Sequence, residues 1–196
     1  MTGTRLYPSS RDVARVVRRC LDEGKVVDID GLGMFRPRKD GGFDFVPDSR
    51  PRVFIAYVEE DLPSAARLYE ALRRAGARPW LDKKNLMPGQ NWPRAIERAI
   101  GISDFVIPCF SRRSVSKRGG FQSELRYALE CASRLPLDDV YLIPVRLEQC
   151  AVPPRITEHL QYVDLFPDWG AGLRRVLAAM ARQLRQWRRS RLLLAG

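Results

Sequence analysis

An α/β fold built on a five-stranded parallel sheet, with helices on both faces, is what the chain predicts from Arg52 onward. Three observations predict it. Residues 53–57, 104–110 and 140–145 are short apolar runs of the kind that strands buried on both faces require. The segments between them place apolar residues at helical spacing. Strand and helix alternate along the sequence, the pattern of a parallel sheet wound by crossover helices.

The elements follow in order. Residues 53–57 form the first strand, and residues 62–75 a helix with Ala65, Leu68, Tyr69 and Leu72 inward, ended by Gly76. Residues 78–81 are the second strand and 92–100 a helix capped by Asn91. Residues 104–110 make strand three, 120–133 a helix, 140–145 strand four and 161–165 a short strand five. From Leu173 a closing helix sets Val176, Leu177, Met180, Leu184 and Trp187 on one face. A flavodoxin-like strand order is expected, with ligands beyond the C-terminal strand ends.

Before Arg52 lies a smaller piece. Ser9 is an N-cap for a helix bearing Val13, Val16, Val17 and Leu21, stopped by Gly24. Residues 25–29 and 34–36 read as strands, and Asp40-Gly41-Gly42 turns the chain into the alternating strand 43–46. Residues 47–51 mark a boundary. The expected organisation is an appendage at 1–50, the α/β domain at 51–187 and a basic, apolar tail at 188–196.

Composition narrows the function. With 196 residues, 45% hydrophobic and 29% charged, the chain buries an ordinary core. It has no bilayer-length apolar run and no apolar signal core at its start, so a cytoplasmic location is the expectation. Cys20, Cys109, Cys131 and Cys150 are widely spaced and His159 is the single histidine, which excludes most zinc sites and histidine-based nucleophile schemes not using His159. The net charge of +11 is uneven: Arg174, Arg175, Arg182, Arg185, Arg188, Arg189 and Arg191 follow Gly170 with no acid among them. A solvated helix face accounts for them; residues 187–194, which add apolar side chains past the expected end of the domain, can also serve self-association, an acidic partner or an anionic membrane surface.

Several motifs then carry a resemblance. R-V-F-I-A-Y at residues 52–57, an acidic run after it, and W-L-D-K-K-N-L-M-P-G at residues 80–89 resemble the signature of a TIR (Toll/interleukin-1 receptor) domain of the bacterial, NAD-cleaving type. The resemblance runs from Arg52 to Leu184. It implies a BB loop, a segment that closes over the site and mediates assembly, at Lys83, Lys84, Asn85, Leu86, Met87, Pro88 and Gly89. Ala56 stands where similar proteins carry a serine; Tyr57 either packs against a nucleotide or fills the sheet edge. Asp82 can accept hydrogen bonds from ribose hydroxyls, and Lys83 and Lys84 either screen a pyrophosphate or form a solvated basic loop. Trp80, Trp92, Ser111 and Ser116, the serines in a loop at residues 111–116, complete the expected substrate-binding set.

The catalytic glutamate of similar enzymes carries over to Glu124, in F-Q-S-E-L-R-Y-A-L-E. From position alone, Glu124 also reads as a helix-start carboxylate that complements the macrodipole. The implied activity is cleavage of the nicotinamide–ribose bond of NAD to nicotinamide and ADP-ribose or a cyclic product, in prokaryotic anti-phage signalling. NAD is then substrate, and no cofactor or metal is expected. The competing reading is a non-catalytic module, adaptor or virulence factor, that binds other TIR domains. Gly31-Leu32-Gly33-Met34-Phe35 faintly resembles the G-F-G-T-F strand of HU-type DNA-binding proteins without their long basic arm, leaving open an oligomerising appendage or a nucleic-acid contact.

Overall fold

Ser9 opens the described chain by capping a helix. Its hydroxyl accepts the Asp12 backbone N–H while the Asp12 carboxylate accepts the Ser9 backbone N–H, and α1 (Ser10–Asp22) follows from this reciprocal cap. The computed structural model describes residues 9–29 and 32–194, with side chains as far as residue 190. Gly31 of the G-L-G-M-F motif therefore lies outside the described residues. The three expected strands are present as an antiparallel sheet: β1 (Val27–Ile29), β2 (Gly33–Pro37) and β3 (Phe43–Pro47), in the order β1-β2-β3. Gly33, at φ 137°, is required, since a Cβ there would sit 2.3 Å from the Val46 carbonyl oxygen. The β2–β3 hairpin closes directly, Arg38 N–H donating to Gly42 O at 2.8 Å, so no extended arm leaves it. Phe35 meets Phe43 and Phe45 at 5.6 and 4.6 Å between ring centroids. This piece, Met1–Ser49, forms one unit, and Arg50–Gly196 forms the other.

The larger unit is the predicted α/β fold. Its elements are β4 (Arg52–Ala56), a 3-10 turn at Glu59–Asp61, α2 (Leu62–Arg74), β5 (Arg78–Trp80), α3 (Asp82–Asn85), α4 (Trp92–Gly101), β6 (Phe105–Phe110), α5 (Arg112–Ser116), α6 (Gly120–Ala132), β7 (Val145–Arg146), α7 (Pro154–Thr157), β8 (Val163–Asp164) and α8 (Trp169–Leu194). The strands run parallel in the order β5-β4-β6-β7-β8. Alternate residues of β4 and β6 feed opposite cores. Val53, Ile55, Phe105 and Ile107 meet Leu68 and Leu72 of α2 and Val176 and Met180 of α8. Phe54, Ala56, Val106 and Phe110 meet Ile96 and Ile100 of α4 and Phe121, Leu125 and Ala128 of α6. Each fully buried side chain of this size stabilises by roughly 1.5–3 kcal/mol.

Three expectations need correction, in strand four, the start of the closing helix and the loop at residues 111–116. Strand four, expected over residues 140–145, reduces to Val145–Arg146 with one bridge from Leu142 to Val106, because Pro108 of β6 has no N–H to donate to the Ile143 carbonyl and continue the ladder. The closing helix starts at Trp169 rather than Leu173, since the Asp168 carboxylate accepts the Ala171 N–H at 3.0 Å and caps it. It then runs without a break to Leu194, so residues 188–194 continue a helix. The supposed loop at residues 111–116 is helix α5, started by a capping box between Ser111 and Ser114.

Gln183, 2% exposed, fastens the far half of α8 by accepting the Val140 N–H and donating to Asp139, which also accepts the Trp187 indole N–H. Arg174, Arg175, Arg182, Arg185, Arg188 and Arg189 remain exposed on the outer face. Among the described residues no helix is long and apolar enough to cross a membrane.

Candidate functional site

Strand β4 ends at Ala56, and the next residue turns a phenol toward the neighbouring strand end. The Tyr57 hydroxyl donates to Oδ1 of Asp82 at 2.5 Å, and the Lys83 backbone N–H donates to the same oxygen at 2.6 Å. Burial first, then the Asp82 hydrogen bond and charge, push the Tyr57 phenol far above its ordinary range, so it acts only as a donor. Asp82 itself opens α3, where Asn85 Oδ1 accepts the Leu81 N–H at 2.8 Å. The first part of the expected BB loop is thus helical. The turn falls at Met87–Gln90, with Gly89 at φ 79°, and Asn91 caps α4 as expected by accepting the Arg94 N–H. Met87 is 69% exposed and Trp92, at the start of α4, 59%.

Glu124 comes to this crevice from α6, on the same sheet face as Phe54 and Ala56. Phe121, Leu125 and Ala128 anchor the helix, with Phe121 edge-on to Phe110 at 5.7 Å. Glu124 is partly buried, and its carboxylate makes no hydrogen bond or ion pair with any described residue. Burial, and then the negative charge of Asp82, push its pKa up to about 7. No buried side-chain polar atom among the described residues lacks a partner, so the Glu124 oxygens keep contact with solvent, and a carboxylate with a raised pKa at the strand ends of an open α/β sheet is a candidate to meet a ligand.

The remaining candidates separate clearly. Ala56 is 1% exposed and packs in the core, and Trp80 stacks on Phe54 at 5.0 Å as part of the same packing. Lys83 pairs with Glu59 at 3.0 Å; Lys84 pairs with Glu70 at 2.7 Å and lies over the Tyr69 ring. Ser111, 1% exposed, donates to Asp61 at 2.6 Å, and Ser116 donates back to the Arg112 carbonyl. Sequence reasoning missed Asp61, whose carboxyl is raised by burial against the lowering effect of the Ser111 hydrogen bond. The acidic run at residues 59–61 was the available signal, but nothing local joins it to Ser111, fifty positions away.

Cys109 is buried, which raises its thiol well above the ordinary range and leaves it inert. His159 is exposed. Among the described residues no group of three or more His, Cys, Asp or Glu is placed to hold a metal ion. The structure therefore brings Tyr57, Asp82 and Glu124 together, while Ser111 and Ser116 are engaged elsewhere.

Comparison with known proteins agrees with this architecture. The chain is 29% identical over 138 residues to the uncharacterized protein y4cD of Sinorhizobium fredii (strain NBRC 101917 / NGR234), covering 70% of this chain but 21% of that relative's length. The TIR domain of the Toll-related receptor TRR-2 from Hydra magnipapillata has a similar structure, with a TM-score of 0.53 and 24% identity over 68% of this chain and 97% of that one. A prokaryotic SEFIR domain aligns with a TM-score of 0.51 and 16% identity, over 66% of this chain and 97% of the other. These two likenesses show the fold. Residues 53–177 match the sequence profile of the TIR domain, and the chain belongs to the TIR-domain family.

Proposed function

We propose that the chain cleaves the nicotinamide–ribose bond of NAD, with Glu124 as the catalytic carboxylate. The observation that carries this reading is the partly buried, unpartnered Glu124 beside Asp82 at the strand ends. The reaction suits a site with no histidine. The nicotinamide ring of NAD is already cationic, so the electron pair of the breaking C1′–N bond neutralises it and no general acid is needed. The demanding species is the oxocarbenium-like ribose. A carboxylate fixed beside it, in partly desolvated surroundings, stabilises that charge. Water then adds its oxygen to C1′ and releases a proton, giving ADP-ribose; attack by the adenine ring of the same molecule gives a cyclic product.

Assembly completes the reading. Met87 and Trp92 present large apolar surface beside the crevice, as a segment that docks on another TIR domain requires. The biological setting we infer is prokaryotic anti-phage signalling, through NAD depletion or a nucleotide signal. The same exposed pair also serves a non-catalytic module that only recruits other TIR proteins. Incubating concentrated protein with NAD and separating nicotinamide, ADP-ribose and cyclic products distinguishes the two. The enzyme reading expects release of nicotinamide that Glu124→Ala abolishes; equal, background release by both proteins leaves the recruiting module.

A further inference from the structure

The chain carries a net charge of +11, yet the crevice beyond β4 and β5 presents two carboxylates that form no ion pair with any described residue. The Tyr57 hydroxyl and the Lys83 backbone N–H both bind Oδ1 of Asp82, at 2.5 and 2.6 Å, so this carboxylate is held in place while its Oδ2 has no partner among the described residues. Glu124 has no partner on either oxygen among the described residues. The two nearest lysines in sequence are drawn away, Lys83 to Glu59 and Lys84 to Glu70. We infer that Asp82, held by Tyr57, is the specificity-determining residue that restricts the site to N-ribosyl compounds whose base is cationic.

The inference rests on the NAD-cleaving reading and adds the reason for its substrate class. A neutral base departs as an anion unless a donor protonates it, and the fixed negative charge of Asp82 opposes that anion. A pyridinium base departs neutral: the C1′–N electron pair returns to nitrogen, and the positive charge moves onto the ribose, still within the same negative field. Because Asp82 is fixed by two hydrogen bonds, the field needs no rearrangement during the reaction. The groups that act on Glu124 and its neighbour are Asp82 from the start of α3, Tyr57 from the end of β4, Glu59 through Tyr57, and Lys83, whose ammonium is bonded to Glu59 but also feels the Asp82 charge. Burial first, and then Asp82, raise the Glu124 pKa to about 7; a cationic ligand counters the Asp82 effect and favours the ionised carboxylate that an oxocarbenium-like ribose requires.

The test uses the full chain, with NAD and its uncharged-ring counterpart NADH as probes. Equilibrium binding is measured on Glu124→Gln, which does not turn substrate over, and on Glu124→Gln combined with Asp82→Asn. The first binds NAD at least about tenfold more tightly than NADH, the scale of one charge contact in a partly desolvated crevice, and in the second the ratio falls toward one. In the active chain, Asp82→Asn moves the acidic limb of kcat/KM to lower pH. Tyr57→Phe, which keeps the carboxylate and one of its two holds, moves it less. An unchanged NAD-to-NADH ratio, or an unchanged acidic limb in folded Asp82→Asn, overturns the role of Asp82 and leaves NAD cleavage standing. Absence of cleavage by the unaltered chain overturns the functional reading instead, and the binding ratio still decides for or against Asp82.

Discussion

Carboxylates on the rim of the α/β unit and those in its crevice stand in opposite states. Glu59, Glu60 and Glu70 face Lys83, Lys117 and Lys84. Among the described residues neither Glu124 nor Oδ2 of Asp82 forms an ion pair, although Lys83, bonded to Glu59, also feels the Asp82 charge. Rim pairs are cheap to form and contribute little, because water already solvates both partners. An unpaired carboxylate held partly out of water costs stability, and a fold keeps such a group where a ligand supplies the missing charge.

The strongest way to break that contrast is at Glu124. Glu124→Gln keeps the shape and removes the charge, and NAD turnover is expected to fall by at least about 10²–10³-fold, the loss seen when one preorganised electrostatic group is removed. Product separation over time checks it. The same variant sharpens the contrast through stability. The folded pKa of Glu124, about 7, lies above its ordinary 4.5, so the protonated fold is favoured at low pH and this contribution is lost as pH rises from 4.5 through 7. At pH 8, Glu124→Gln should therefore gain on the order of 3 kcal/mol, several degrees in Tm, and the gain should vanish near pH 4.5. A flat Tm difference across that range would remove the unpaired-charge reading of this carboxylate.

Smaller effects belong to the paired groups. Arg146 forks onto both oxygens of Asp164, at 2.6 and 2.9 Å, while donating to the Cys150 carbonyl and stacking over Tyr162. Arg146→Met should cost about 2 kcal/mol by denaturant titration, since it strips a partly buried carboxylate of a charge-assisted pair. Ser111→Ala should cost about 1 kcal/mol and raise the Asp61 carboxyl further, because Asp61 loses the hydroxyl that lowers it. Lys117→Met, at an exposed pair with Glu60, should leave Tm unmoved in physiological salt.

Much of the fold was legible because it depends on local pattern. Apolar strands at β4 and β6, the stripe of Ala65, Leu68 and Leu72 in α2, and the caps at Ser9 and Asn91 are each readable within a few residues. The short helices α3, α5 and α7 were not, since four or five residues carry too little periodicity to separate helix from loop. The identity of Glu124 as a candidate came from a resemblance. Its lack of a partner and its elevated pKa came from packing.

The sequence by itself determined which residues are strand, which faces are apolar and where arginines accumulate, because those properties rest on side-chain type and spacing. Tertiary structure decided which polar groups meet. Tyr57 and Asp82 are twenty-five positions apart and Ser111 and Asp61 fifty, and each pair forms only when parallel strands set their ends side by side. The same closure buries Glu124 beside Asp82, and with it the charge state of the candidate site.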